Sequence, residues 1–296
     1  MKLLENGKKL IHLFSDKNEL ESTLPYYSTI LLKVCLLISC EYKLSWLLTW
    51  FVYGCIPLLD YYLPHDTKNP SKEEQKQMRR QFRYKLPIFL SIITDWICFI
   101  KINYELANTQ NGLYYKIGLF INASVIEATS INASHEINHK TNKWEKILGT
   151  FNLCKNLYPH FLIEHNDGHY KNVATPIDPA SSTKNQSLYD FVPKSILGGF
   201  LSAWRIENRI CKQYYNTSFT WRNRMYYFTA LNFIIPAILS YLFGAKVALI
   251  QFSLAYSSVA ILETINYLEH YGLRRKKLED GTYENVSILH SWNAPH

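Results

Sequence analysis

Residues 113–140 read LYYKIGLFINASVIEATSINASHEINHK, and this stretch contains the two features that decide the fold. Its first part, residues 113–133, is mostly apolar and includes only two charged side chains. A helix of about 17 to 25 such residues is long enough to cross a bilayer. A polar segment with two histidines, His135 and His139, follows directly. The stretch therefore predicts a membrane-spanning helix that ends in a histidine-rich segment.

Five other stretches have similar length and composition. Together the six predicted spans are residues 24–40, 44–63, 86–102, 113–133, 225–243 and 247–268. The first two spans, and likewise the last two, are separated by only three residues, which is typical of helical hairpins in membranes. This pattern predicts an all-α fold, a multi-pass membrane helical bundle of about six transmembrane helices. The alternative, a soluble protein with buried helices, fits the hairpin pairs less well.

Several predicted spans contain charged residues, among them Asp95 and Glu127. Ionisable groups inside a membrane are costly, so they either pair with other polar groups or serve a function. For Asp95 and Glu127 we expect hydrogen bonds to polar groups of neighbouring helices. A supporting role beside a functional site or a substrate tunnel is the alternative.

The basic residues are distributed unevenly. If the N-terminus is cytoplasmic, the segments on that side are residues 1–23, 64–85, 134–224 and 269–296, and they contain 27 of the 32 lysines and arginines. This bias follows the positive-inside rule and predicts an integral membrane protein whose insertion, residues 134–224, faces the cytoplasm. A basic face beside the anionic lipid bilayer explains the net charge of +8, so we expect no nucleic-acid partner.

Histidines form short clusters near the cytoplasmic ends of predicted spans. In the first cluster, His135 and His139 are four residues apart and would share one face of a helix, as a pair of ligands to one metal ion would. The sequence HEINH also matches the zinc protease pattern, in which Glu136 would be the base. A second cluster repeats the spacing with His165 and His169, and a zinc protease does not need this second pair.

The third cluster closes the last predicted span. Glu263, Asn266 and His270 fall on one stripe of a helix there, at a depth where ionisable groups are usually functional. Three histidine clusters at the same membrane face indicate one shared metal site. Imidazole ligands suit iron, copper and zinc, so the ligand type alone does not identify the metal.

A set of short motifs accompanies these clusters. In chain order they are PLLD at 57–60, HEINHK at 135–140, EHNDGH at 164–169, VATPIDPASS at 173–182, AWRIE at 203–207, NYLEHYGL at 266–273, LEDGTYENVS at 278–287 and HSWN at 290–293. In this order they resemble the membrane-bound alkane monooxygenase family, within the wider group of histidine-box hydroxylases and fatty acid desaturases. The resemblance covers nearly the whole chain and implies a single membrane-embedded domain over residues 1–296.

The resemblance implies an oxidoreductase with two non-haem iron ions at the cytoplasmic end of the bundle. The implied reaction is O2-dependent terminal hydroxylation of alkanes or fatty-acyl chains, with electrons from rubredoxin or a similar iron–sulfur carrier. The membrane would be the bacterial inner membrane, or the endoplasmic reticulum in a eukaryote. Carried over by motif, the metal ligands are His135, His139, His165, His169 and His270. The candidate catalytic or ligand-supporting residues are Glu136, Glu263, Asn266 and Glu269.

The chain departs from the family pattern at two places. The second histidine box of the family ends in two adjacent histidines, and Tyr170 stands at the second of these positions. The family also has a third histidine box after HSWN, which this chain does not reach, so we expect the chain to be incomplete at its C-terminus. His290 and His296 are weak candidates to replace the missing ligands. The five histidines carried over are too few for two iron sites of the family's kind.

Other functions remain open at this point. A fatty acid desaturase or another hydroxylase of the same group would share the fold and the metal but form a different product. A catalytically inactive relative would keep the fold alone, and Tyr170 and the absent third box favour that alternative. The zinc protease hypothesis comes from a different class and leaves His165 and His270 without a role.

Overall fold

The computed structural model describes residues 23–62, 71–138 and 142–292. Within these ranges the chain is helical, and its only β contact is an isolated bridge between Lys277 and Tyr283. The helices are α1 (Ser28–Glu41), α2 (Leu47–Trp50, Phe51–Cys55 and Ile56–Tyr62), α3 (Lys72–Arg80), α4 (Phe82–Ala107), α5 (Leu113–Asn138), α6 (Lys143–Cys154), α7 (Phe161–Glu164, His165–His169 and Tyr170–Asn172), α8 (Leu188–Tyr215), α9 (Arg224–Phe243) and α10 (Lys246–His270). The predicted all-α fold is confirmed.

Four helical stretches in the described part of the chain are long and apolar enough to cross a membrane. They are Leu24–Glu41, Phe82–Ala107, Arg224–Phe243 and Lys246–His270. Each contains one predicted span and extends it by a few residues. The predicted span at 44–63 corresponds to α2, whose middle segment, Phe51–Cys55, is π-helical. The count of six spans stays a prediction.

Helix α5 is the central helix, packing against α4, α6 and α10. It is as long as α4, at 26 residues, but it is not among the four apolar stretches. Polar side chains of α5, such as Asn122, Ser130 and Ser134, are buried against neighbouring helices. A helix enclosed by other helices needs no uniformly apolar surface, because its polar groups find partners within the protein.

Capping residues fix where several helices begin. Ser71 and Glu74 form a capping box at the start of α3, each side chain accepting a hydrogen bond from the backbone of the other. The side chains of Asn142, Ser187 and Asn223 cap α6, α8 and α9. The cap at Ser187 fixes where α8 begins and therefore where the segment that carries the second histidine cluster ends.

Two buried ion pairs join the helices. Lys33 Nζ of α1 lies 2.7 Å from Asp95 Oδ1 of α4, and both side chains are fully buried. Lys155, between α6 and α7, pairs with Glu127 of α5. Asn152 of α6 donates a further hydrogen bond of 3.1 Å to Asp95. The prediction of bonds to neighbouring helices is confirmed for Asp95, and Glu127 pairs with Lys155 directly after α6.

A separate apolar core lies beneath the histidine residues. Ile131, Leu153, Tyr158, Phe161 and Val259 pack together there, from α5, α6, α7, α10 and the connection before α7. Burial of apolar area stabilises this contact by about 25 cal/mol per Å². The core therefore holds the ends of α5, α7 and α10 side by side, and these are the elements that carry the histidines.

Candidate metal centre

The structure brings the predicted histidine clusters together at one end of the bundle. His135 lies near the end of α5, His165 and His169 lie in α7, and His270 is the last residue of α10. The ring centroids of His135 and His165 are 4.4 Å apart, those of His165 and His169 are 5.4 Å apart, and those of His169 and His270 are 5.2 Å apart. These four residues form what we call the imidazole cluster. His139 lies outside the described residues.

The backbone of α7 explains how two of these rings reach the cluster. The segment His165–His169 is π-helical, and the backbone N–H of Tyr170 donates to the carbonyl of His165, five residues earlier. Short π segments are uncommon and are frequent at functional sites. The His165 and His169 rings are stacked, with an angle of 18° between their planes. His165 therefore meets α5 while His169 meets α10.

A buried carboxylate fixes the orientation of His169. Asp178 Oδ2 lies 2.9 Å from His169 Nδ1, and Ser181 and the backbone N–H of Ala180 donate to the same carboxylate. Burial opposes ionisation of both partners, but the hydrogen bond and opposite charges outweigh it, so the pKa of His169 is raised and that of Asp178 is lowered. Nδ1 of His169 is thereby occupied, and Nε2 is the nitrogen left for a metal.

His270 is oriented in a similar way by the backbone. Its Nδ1 donates to the carbonyl oxygen of His290 at 3.0 Å, so its Nε2 is also the remaining nitrogen. The ring of His290 is engaged elsewhere, with Nδ1 3.0 Å from the backbone nitrogen of Ser287 and Nε2 3.3 Å from Glu284. His290 thus contributes its carbonyl to the cluster. His296, the other weak candidate, lies outside the described residues.

The chemistry of the cluster fits a transition metal. The Nε2 atoms of His135 and His165 are 2.7 Å apart, and two nitrogens that share an ion at about 2.0–2.1 Å each lie about 3 Å from one another. In the described ranges no three His, Cys, Asp or Glu side chains are close enough together to surround an ion. Of the four rings, those of His169 and His270 are oriented by a hydrogen bond at Nδ1 that leaves Nε2 available to a metal.

Comparisons with known proteins identify the family. The family model described as fatty acid desaturase matches residues 113–296. Alkane 1-monooxygenase 2 of Pseudomonas aeruginosa is 33% identical over 84% of this chain and 67% of its own length. The chain belongs to the alkane 1-monooxygenase branch of the fatty acid desaturase family. This membership, predicted from the motifs, is confirmed.

The chain is also similar to two further monooxygenases, to one of them over a shorter stretch. The alkane 1-monooxygenase of Ectopseudomonas oleovorans is 33% identical over 84% of this chain and 62% of its own length. The xylene/toluene monooxygenase hydroxylase component XylM of Pseudomonas putida is 26% identical over 55% of this chain and 43% of its own length. The chain spans about three-fifths to two-thirds of the length of the curated alkane 1-monooxygenases it matches.

Among the candidate catalytic residues of this desaturase-family chain, Glu263 is the most deeply placed. It is buried on α10, and it accepts hydrogen bonds from Tyr158 at 3.1 Å, Ser195 at 2.6 Å and Asn266 at 3.2 Å. These bonds link α10 to α8 and to the segment before α7. Because its oxygens are engaged in this way, Glu263 holds α10 against α8 and Tyr158.

Glu136 and Glu269 are both less buried than Glu263. Glu136 is exposed on α5, next to His135 in the sequence but on another face of the helix. Glu269 is half-buried, and its backbone carbonyl accepts a hydrogen bond of 2.7 Å from the backbone N–H of Trp292. Glu269 is next to His270 in the chain, and its negative charge acts on that ring.

Tyr170 occupies the border of the imidazole cluster. Its ring centroid is 4.8 Å from that of His165 and 6.4 Å from that of His169. Half of the residue, 52%, is exposed. The position where the family pattern has a histidine is therefore directly beside the cluster, on its more exposed side.

Three buried polar residues near the site are not predicted by the spacing of the histidines. Asp178, which orients His169, lies in the motif VATPIDPASS, and its position nine residues after a histidine is only a weak signal. Glu164 is buried, and its Oε1 has no hydrogen-bond partner among the described residues. Its burial, and to a lesser extent the negative charge of Asp178, raise its pKa to about 8. His160 is buried with neither ring nitrogen hydrogen-bonded, and burial lowers its pKa to about 3.

Proposed function

We propose that this protein is an O2-dependent hydroxylase that inserts one oxygen atom into the terminal C–H bond of an alkane or a fatty-acyl chain. In the proposal the imidazole cluster holds non-haem iron, as a di-iron centre in the complete site, and rubredoxin or a similar iron–sulfur protein supplies the electrons. The bundle would cross the membrane about six times, with the cluster on the cytoplasmic side.

The observation that carries the proposal is the hydrogen bond between Asp178 and His169. Histidines that ligate metals usually donate their second ring N–H to a carboxylate or a backbone carbonyl. Both arrangements occur in the cluster, at His169 with Asp178 and at His270 with the carbonyl of His290. In both residues the partner binds Nδ1 and leaves Nε2 for a metal.

The iron would supply the activation of O2, and the chain's own residues would prepare the site for it. Asp178 keeps His169 in one tautomer and one orientation. Phe161 covers one side of the cluster, with its ring centroid 4.7 Å from that of His165 and 6.0 Å from that of His135. Such cover excludes water, which protects a reactive site from side reactions.

The balance of the reaction defines the partners. One atom of O2 enters the C–H bond and the other leaves as water, so each turnover consumes two electrons and two protons. An alkane has no polar group, and its binding must come from burial of apolar surface between the helices. An electron-transfer protein in solution would reach the cluster from the cytoplasmic face, where the predicted topology places most of the basic residues.

The test is production of alcohol from isotopically labelled oxygen. Membranes containing the full chain, a rubredoxin and its reductase would be supplied with n-octane under ¹⁸O₂. The proposal predicts 1-octanol with one ¹⁸O atom. A membrane preparation with bound iron and reduced rubredoxin that forms no oxygenated product would contradict it.

Desaturation is the second candidate, because the family model that matches is that of the fatty acid desaturases. A desaturase removes two hydrogens from a chain and releases both oxygen atoms as water. In the same membranes supplied with a saturated fatty-acyl substrate, an unsaturated chain without ¹⁸O would favour this candidate, and a terminal alcohol would exclude it as the main activity.

A further inference from the structure

Arg275 lies five residues after His270, in the segment that follows α10. It is half-buried, and its guanidinium donates to main-chain carbonyls of two segments that are distant in the sequence. Nη1 donates to the carbonyl of Lys171 at 2.8 Å, and Nε donates to that of Glu284 at 2.6 Å. The backbone N–H of Arg275 adds a bond of 2.9 Å to the carbonyl of Ala174. Arg275 therefore joins the segment after α10 to the end of α7 and to a later turn of the chain.

The contact with Lys171 fixes the end of α7. Lys171 is the next-to-last residue of α7 and follows His169 by two positions. The last carbonyls of a helix have no partner within the helix, and a basic side chain can satisfy them from outside. Nη1 of Arg275 also lies 3.5 Å from the carbonyl of Val173. Arg275 thus holds the end of the helix that carries His169.

The contact with Glu284 leads to His270. Glu284 closes a short hairpin, because its backbone N–H donates to the carbonyl of Lys276 at 3.0 Å. Its carboxylate lies 3.3 Å from Nε2 of His290, and the carbonyl of His290 accepts the bond from Nδ1 of His270. Arg275 therefore holds the residues that orient His270.

The two histidines at the ends of these contacts come from different helices. His169 lies on α7 and His270 on α10, and their ring centroids are 5.2 Å apart. A metal site requires its ligands to be held within about 0.5 Å of the productive geometry, so the end of α7 has to be fixed relative to the end of α10. The guanidinium of Arg275 is planar, and its N–H groups point in fixed directions. Two carbonyls bonded to it at once are therefore held at a set separation.

We propose that Arg275 is a positioning residue of the metal centre, which sets the place of His270 relative to His169 by bonding to Lys171 and Glu284 at once. This inference rests on the proposed function, because it takes the imidazole cluster as the set of metal ligands. Among the described residues the bonds of Arg275 go to carbonyl oxygens, so it acts on the metal through the segments that it joins.

Binding of Co(II) to the full chain in detergent, measured by competition with a chelator, tests the proposal. Arg275→Met should lower the affinity by about 10- to 100-fold, as loss of a residue that orients metal ligands typically does. Arg275→Lys should lower it similarly, because one ammonium does not reproduce the fork of the guanidinium. The matched control is Arg205→Met, at an exposed arginine of α8 whose Nε donates to the carbonyl of Leu201 in its own helix. This control should bind Co(II) as the parent protein does.

A double-mutant cycle separates positioning from stability alone. His270→Ala should lower the Co(II) affinity of the parent protein but lower that of Arg275→Met little further, because His270 is already displaced there. His135→Ala should lower the affinity of both proteins by the same factor, since none of the described bonds of Arg275 reaches α5. The same cycle with Arg275→Lys, which keeps the charge, decides the matter if the methionine variant does not fold.

Three outcomes would overturn the proposal. An arginine that stabilises only the hairpin would lower the unfolding temperature when replaced but leave the Co(II) affinity of the folded protein unchanged. Equal losses from His270→Ala with and without Arg275, or a parent protein that binds no Co(II), would also overturn it. Because Co(II) binding needs neither O2 nor electrons, the predicted coupling in a chain that forms no oxygenated product would refute the proposed function alone.

Discussion

Nδ1 of His169 lies 2.9 Å from Oδ2 of Asp178, and this carboxylate is itself held by Ser181 and by the backbone N–H of Ala180. The contact joins the π-helical segment of α7 to the loop that follows it. Since the carboxylate occupies Nδ1, it leaves Nε2 of His169 for the centre of the imidazole cluster. Orientation of His169 thus depends on a residue that no histidine motif contains.

The first prediction concerns this carboxylate. Asp178→Asn removes the charge but keeps the size of the side chain, and loss of such a supporting partner typically lowers metal affinity by about 10- to 100-fold. Competition between the full chain and a chelator for Fe(II) under anaerobic conditions would measure it. Asp190→Asn, an exposed aspartate of α8 that contacts Gln186, is the control and should bind iron normally. Equal affinities in the two variants would mean that Asp178 does not act on the metal.

The second prediction concerns Gly168, in the π-helical segment. A Cβ atom at this position would lie 2.6 Å from Glu164 Oε1 and 3.1 Å from Ile206 Cδ1. Gly168→Ala should therefore displace the buried carboxylate of Glu164 within α7 and crowd Ile206 of α8, lowering the free energy of unfolding by about 1–3 kcal/mol and weakening metal binding with it. Gly112→Ala, where a Cβ atom would meet nothing within 4 Å, is the control in the same thermal-unfolding and metal-binding measurements. A Gly168→Ala protein as stable as the control would show that the helices accommodate the methyl group.

The third prediction is a pH dependence that arises from His160. Burial lowers the pKa of His160 from 6.5 to about 3, so the folded state excludes a proton that the unfolded state takes up below 6.5. The effect of His160 on the free energy of unfolding is therefore fully favourable above pH 6.5, and it is lost as the pH falls from 6.5 toward 3. In His160→Leu, acidification to about pH 4 should cost up to about 3 kcal/mol less than in the parent protein.

Unfolding midpoints in detergent, measured for both proteins from neutral to acid pH, would check this difference. Each protein's own value at neutral pH is its reference, which removes any loss caused by the substitution itself. Parallel curves for the two proteins would show that His160 is protonated in the folded state as readily as in the unfolded state.

The fourth prediction concerns the buried pair of Lys33 and Asp95. Lys33→Met leaves the carboxylate buried without its cation and should destabilise the protein by about 3–5 kcal/mol. The double variant Lys33→Met/Asp95→Leu removes both charges and should recover most of that loss. Lys171→Met, which breaks an exposed pair with Asp167, should cost about 1 kcal/mol or less. A double variant as unstable as Lys33→Met alone would argue against the ion pair as the cause.

Much of the arrangement could be predicted from the sequence, because it depends on local spacing. Pairs such as His165 and His169 are recognisable by their four-residue interval, and long apolar stretches predict helices. The spacing does not reveal that His165–His169 is π-helical, since an α-helix would also place the two rings on one face. Only the structure shows how each ring meets a different helix.

The features of the site that the sequence does not predict depend on contacts between segments that are distant in the chain. The loop between α7 and α8 brings Asp178 back to His169, and no periodic pattern predicts such a return. The apolar stretch at residues 113–133 predicts the helix α5, but it does not show that Asn122 bonds to Thr49 of α2 and to the turn before α2, or that Ser134 accepts from Asn152 of α6. Hydropathy reports contact with lipid, whereas this helix is surrounded by protein.

The most direct test of the central claim, that the imidazole cluster holds iron, is X-ray absorption at the iron edge. The full chain, loaded anaerobically with Fe(II), would be compared with His169→Ala and His270→Ala. The account predicts scattering from imidazole rings around the iron in the parent protein, and fewer rings in each variant. A spectrum without imidazole scattering, or one that neither substitution changes, would contradict it.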